Sequence, residues 1–222
     1  MKKFESKLYQ VSEQKKKTIY DAVEEYVSDK YDIRFNEISH EFQIRIKESN
    51  IWEDFEVNSL LIELAKSNIE INPGKLDIYL RSNLIPRFNP IAEYFEKLPK
   101  WVGGDHIRTL ASYLPAKEPE QFLYHFRKWL VRTVKGALDE NYFNKQCLVL
   151  VHSEQNSGKS TWCRFLCPPA LSKYFAEDMT TDKDARIQLT RNFIINLDEL
   201  SVLARKEINA LKAYFSKTMI NE

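Results

Sequence analysis

Apolar positions recur along this chain with two different periods, and the switches between them mark out its segments. From about Phe4 to Val27 the residues Leu8, Val11, Ile19, Val23 and Val27 form a broken helical stripe among Lys and Glu. Lys15-Lys16-Lys17 interrupts it and reads as a solvated helix face, with a phosphate-backbone contact as the alternative. Period two then takes over. Tyr31–Asn36 and Glu41–Ile46 alternate around the polar Glu37-Ile-Ser-His40, which predicts a β-hairpin over 31–46. Ile33, Phe35, Phe42, Ile44 and Ile46 fall on its apolar faces, and Arg34, Gln43 and Arg45 point the other way.

Helical spacing returns from Val57. Asn58 is placed to cap Ser59–Lys66, Pro73-Gly-Lys starts a short helix through Leu80, and Asn89-Pro90 reads as cap and first-turn proline for Ile91–Lys97. Leu98-Pro-Lys-Trp101-Val-Gly103-Gly104 is a tight connection, after which Asp105 caps His106–Tyr113. A longer helix follows from about Gln121 to Leu138. One side of it is apolar and the other carries Arg127, Lys128, Arg132 and Lys135, the most basic surface in the chain and a candidate DNA-contacting face. Lys and Arg are also good helix formers on any exposed face, so the bland reading stands beside that one. His125 has no spaced partners for a metal and reads as a packed or surface histidine.

Beyond the long helix the pattern changes character. Cys147-Leu-Val-Leu-Val151 predicts a buried strand that runs into Ser153-Glu154-Gln155-Asn156-Ser157-Gly158-Lys159-Ser160, and Thr161–Leu166 continues with helical spacing. Strand, loop and helix in this order suit phosphate binding: backbone N–H groups and Lys159 for the phosphates of ATP, with Ser160 for Mg²⁺. The binding segment is thus Ser153 through Thr161. Ser153 stands where the G-x-x-x-x-G-K-[ST] pattern has its first glycine, and other residues make that turn at a cost. A second apolar run, Asn192–Leu197, ends in Asp198-Glu199. With that strand beside the first, Asp198 joins Ser160 on Mg²⁺ and Glu199 polarises an attacking water, so Lys159 and Glu199 are the catalytic pair. The spacing of about forty residues between Lys159 and Asp198 leaves room for a helix, a polar connection and a further strand of a parallel unit.

The expected architecture is therefore α/β. A mainly helical N-terminal region with a small hairpin occupies residues 1–140, and the first part of a parallel-sheet P-loop NTPase domain, truncated at its C-terminal end, occupies 141–222. Composition adds bounds. The 222 residues are 43% hydrophobic and 29% charged, ordinary globular values, and Lys+Arg 33 against Asp+Glu 32 gives no global attraction to nucleic acid, so such a contact needs a local patch. Cys147, Cys163 and Cys167 show no ligand or pairing spacing and read as reduced thiols. No run approaches spanning length and no signal-peptide core follows Met1-Lys-Lys-Phe, so a cytoplasmic protein without a membrane partner is expected.

Taken together, these motifs resemble the virulence-associated protein E family, helicase-like ATPases of phages and mobile elements related to superfamily 3 helicases. The resemblance covers about residues 30 to 222 and is carried by the hairpin at Tyr31–Asn36, Asn89-Pro90, the Leu98–Asp105 turn, the Phe126-Arg-Lys-Trp-Leu-Val helix, Leu148–Thr161 and Ile195–Leu200. The family's tryptophan turn, Trp-Asp-Gly-x-Asp-Arg, meets Val102 and His106 as departures here, as Ser153 departs from the phosphate loop. The resemblance implies ATP hydrolysis coupled to DNA unwinding or replication initiation in a homo-oligomeric ring. Ring ATPases also use a sensor residue and an arginine finger downstream of the second motif, for which Arg191 and Arg205 lie too close to it. The leading expectation is the ATP-binding portion of such an ATPase. Its competitors are a non-catalytic DNA-replication adaptor with a degenerate ATPase half, and a small-molecule kinase, which the Asp-Glu pair disfavours.

Overall fold

The computed structural model describes residues 17–139, 141–142, 144–154, 156–178 and 183–197, with the side chains of 183–186 left aside. The chain forms two compact units, Phe35 and the residues before it with His40–Arg87, and Asn36–Ser39 with the residues from Phe88 onward. The division expected at residues 140 and 141 falls inside the second unit.

The first unit opens with helix α1 (Ile19–Lys30), started by a capping box in which Thr18 Oγ accepts from Asp21 N–H and the Asp21 carboxylate accepts from Thr18 N–H. Strands β1 (Tyr31–Asn36) and β2 (Phe42–Ile46) form the expected antiparallel hairpin, with Ile33 opposite Ile44 and Phe35 opposite Phe42. Short strands β3 (Glu53–Asp54) and β4 (Arg87–Phe88) extend the sheet to the order β3-β2-β1-β4. Ile33 and Phe42 are buried against Val23 and Val27 of α1, against Leu60 and Leu64 of helix α2 (Val57–Lys66), and against Leu76, Tyr79 and Leu80 of helix α3 (Pro73–Leu80). Ile46, expected on an apolar face, is exposed at the end of its strand.

Two helix starts contrast. Asn72 caps α3, which starts at Pro73 as expected, by accepting from Lys75 N–H at 2.8 Å. Asn58 does not cap α2, which begins one residue before it at Val57 with Glu56 at the cap position and no side-chain bond. Of the helix expected from Phe4 to Val27, the part before Lys17 lies outside the described residues.

In the second unit Asn89 accepts from Ile91 and Ala92 N–H to start helix α4 (Pro90–Glu96), and Asp105 accepts from Arg108 N–H to start helix α5 (His106–Ser112). Helix α6 (Pro119–Leu138) is the long amphipathic helix. Helix α7 (Lys159–Phe165) follows the glycine-lysine-serine loop, and a 3₁₀ turn, Pro169–Tyr174, leads into strand β5 (Phe175–Glu177). Helix α8 (Lys183–Arg191) then returns the chain to strand β6 (Ile194–Asn196), which pairs with β5 in parallel. A parallel β-α-β element of the expected kind is thus present, and β5 is the further strand for which the spacing left room. Two apolar clusters hold the unit: Ile91, Cys167, Leu171 and Ile194 in one, and Ala111, Leu123, Phe126 and Trp162 in the other. Asn36, only 2% exposed, donates from Nδ2 to Tyr174 Oη at 2.7 Å and accepts from Ile38 and Ser39 N–H.

Candidate functional site: the Ser153–Thr161 loop

The segment before the loop departs from expectation. Among the described residues Cys147–Val151 belongs to no ladder, and β6 pairs with β5 rather than with it. Leu148 and Leu150 turn toward the cluster around Phe126, whereas Val149 and Val151 face water, Val151 at 88% exposure. The alternation therefore buries one side only, and this apolar run is a half-covered extended segment instead of a buried strand. A cleft of about 460 Å³ lies beside it, lined by Cys147, Leu148 and Val149 on one side, by Ile194–Leu197 on another, and by Trp129 and Thr133 of α6.

The loop itself has two left-handed residues, Asn156 at φ +58° and Gly158 at φ +82°. Ser153 is not among the positive-φ positions, so serine there carries no left-handed strain, and the glycine that the backbone needs is Gly158. A Cβ at Gly158 would meet nothing within 4 Å, so space over the turn is open and φ alone selects glycine. Ser153, Glu154, Asn156 and Ser157 are exposed, and the Lys159 ammonium donates to Ser157 Oγ at 2.9 Å with no acidic partner among the described residues. An exposed, unblocked turn with an ammonium held at its end fits a polyphosphate in charge and access. Glu154 N–H donates to His152 Nδ1 at 3.0 Å, closing the entry to the loop.

Sequence reasoning missed what holds the loop in place. Trp162, one turn into α7, is 6% exposed; its indole N–H donates to the Leu110 carbonyl of α5 at 3.2 Å and its ring lies against Phe126 and Phe122 of α6, centroids 5.2 and 6.5 Å away. A large apolar residue three positions after Lys159 is the available signal, since i and i+3 share a helix face. Arg164 of the same helix pairs with Glu177 at the end of β5.

Gln155, Asp198 and Glu199 lie outside the described residues, so the expected metal pair of Ser160 and Asp198 is represented by Ser160, a half-buried residue in the first turn of α7. Among the described residues no group of three or more His, Cys, Asp or Glu is positioned to hold a metal. The four basic residues of α6 each have a local contact: Arg127 with Asp105, Lys128 with Tyr124, Arg132 with Gln146, and Lys135 with Asp139 at 3.9 Å and over the Tyr142 ring. The bond from Arg108 N–H, with the Arg127 and Arg108 guanidiniums beside it, holds the Asp105 carboxyl below its ordinary range, and Arg108, bonding Glu120 of α6 at 2.6 and 3.1 Å, does the same for Glu120. Burial pushes the Cys167 thiol up.

This architecture defines a class: a mixed α/β unit in which a parallel β-α-β element follows a glycine-lysine-serine turn at a helix start. The family is given by sequence comparison, in which the virulence-associated protein E-like domain matches residues 95–221, more than half of the chain. The chain belongs to that family, as its motifs suggested. No curated protein matches it. No helix among the described residues is long and apolar enough to cross a membrane.

Proposed function

We propose that the chain is the ATP-binding portion of a helicase-like ATPase serving DNA replication of a phage or mobile element. The observation that carries this reading is the loop geometry within a family-matched region: an exposed turn with Gly158 left-handed, Lys159 at the helix start, and Trp162 fixing that helix to α5 and α6. In this reading Ser153–Thr161 bind the phosphates through backbone N–H groups, and Lys159 adds a charge-assisted bond. Ser160 and Asp198 would hold Mg²⁺, which would supply neutralisation of phosphate charge. Glu199 takes the proton from the attacking water. DNA is the partner, a homo-oligomeric ring supplies further groups, and the setting is cytoplasmic.

One observation favours a second reading. The segment entering the loop forms no ladder with β6, as in an ATPase half that serves only as scaffold for a replication adaptor. Phosphate release measured on the wild-type chain and on Glu199→Gln separates the two. The ATPase reading expects Mg-dependent turnover that Glu199→Gln lowers by roughly 10²–10⁴-fold, the usual contribution of a positioned base. Nucleotide-independent DNA binding with no ATP affinity in the wild type would select the adaptor.

A further inference from the structure

The connection between α4 and α5 presents an indole to solvent on a built mount. Trp101 is 77% exposed and Val102 95%, although a tryptophan side chain carries about 150–250 Å² of surface that folding ordinarily removes from water. The turn behind them is specified at each residue. Gly103 and Gly104 adopt φ of +102° and +96°, which other residues rarely take, and Trp101 Nε1–H donates to the Gly104 carbonyl at 3.2 Å. Asp105 follows at once, capping α5 and joined to Arg108 and to Arg127 of α6. The exposed ring thus belongs to a braced turn.

Three features decide what such a ring would meet. Its only hydrogen-bond donor is used within the turn, leaving the π faces as its contact surface; stacking needs nothing more. Lys100 precedes it, exposed and with no acidic partner among the described residues, whereas Lys97 is already paired with Glu93. Pro99 stiffens the stretch between them. An aromatic face beside an exposed cation on a braced turn suits an unstacked base and its neighbouring phosphate, whereas a tryptophan anchor in a protein interface commonly offers its N–H to the partner.

We propose that Trp101 is a base-stacking platform for single-stranded nucleic acid, with Lys100 as its phosphate contact. This rests on the proposed link to nucleic acid and moves the contact from the basic side of α6, whose cations already have local contacts, to the turn before α5.

The test uses the purified full chain, its Trp101→Ala and Trp101→Phe variants, and fluorescein-labelled oligothymidylate, oligouridylate and an abasic phosphodiester of equal length, read by anisotropy at low salt. Trp101→Ala should weaken binding of the base-bearing strands roughly 5- to 150-fold, the range for one lost stack, leave the abasic strand unaffected, and be partly rescued by Trp101→Phe. Tryptophan dependence on either base-bearing strand supports the proposal, and the ratio of the two affinities identifies DNA or RNA. Unchanged oligonucleotide affinity in Trp101→Ala overturns it while leaving the proposed function standing. So does equal weakening on the abasic strand, or a loss confined to self-association, which assigns the turn to a protein contact. No strand binding by the wild type overturns both this platform and the nucleic-acid part of the proposed function, without touching nucleotide binding.

Discussion

Removing the Trp162 ring should loosen the second unit far more than the first. At seven residues α7 is too short to be helical alone, so its first turn, which carries Lys159 and Ser160, depends on packing. Trp162→Ala empties a site that is 6% exposed and walled by Phe122 and Phe126, a change that costs about 3–5 kcal/mol for a buried tryptophan. Trp162→Phe keeps a ring but loses the bond to Leu110. The Leu110 carbonyl retains a longer bond from Tyr113 N–H at 3.4 Å, so the penalty sits near the lower end of the unsatisfied-acceptor range, about 1–2 kcal/mol. Urea unfolding followed by circular dichroism, fitted with separate transitions for the two units, measures both. With a slope of about 1–3 kcal/mol/M, Trp162→Ala should move the second unit's midpoint down by at least about 1 M. A shift below about 0.3 M, or one that appears only in the first unit's transition, would refute the anchoring role.

Other outcomes follow from the same packing. Asn36→Ala removes a buried amide that accepts from Ile38 and Ser39 N–H and donates to Tyr174, and should cost about 1–3 kcal/mol in the same urea experiment. Asp105→Ala should lower the thermal midpoint at neutral pH. Because the folded carboxyl lies below its ordinary value, its stabilisation is complete above the ordinary carboxylate range and fades as pH falls through the folded value, so wild type and variant should converge on acidification. In the first unit, burial and a 2.8 Å bond to Glu63 raise Tyr31 to about 12, and burial with Glu24 raises Tyr79 to about 12. The neutral phenols stabilise fully below the unfolded value near 10 and lose that contribution as pH rises toward about 12; tyrosinate absorbance showing both titrating at the ordinary value would contradict this.

Local signals in the sequence were readable where one residue's chemistry decides the backbone. Asn89 before Pro90 and Asp105 before His106 each cap the helix expected of them, α3 starts at Pro73, and the period-two pattern forms its hairpin. Asn58 failed as a cap because the apolar side of α2 draws Val57 into the helix, so packing overrides cap preference. Cys147–Val151 failed as a buried strand because an apolar run states that surface will be covered, without stating on how many sides. Leu148 and Leu150 are covered and Val149 and Val151 are not. The loop's left-handed glycine and helix start were legible at Gly158-Lys159-Ser160, yet its anchor was not, since the bond from Trp162 to Leu110 joins residues 52 positions apart. Ser153 looked like a defect by pattern and proves conformationally ordinary in the fold.

The central claim is that Ser153–Thr161 binds ATP through Lys159. Titration calorimetry of Mg-ATP into the wild-type chain and into Lys159→Ala tests it most directly. The account predicts saturable binding by the wild type and, from the loss of a charge-assisted bond of about 1.5–3 kcal/mol, affinity weakened roughly 10- to 150-fold in Lys159→Ala. Equal heats and equal affinities for the two proteins, or no heat from either, would contradict it.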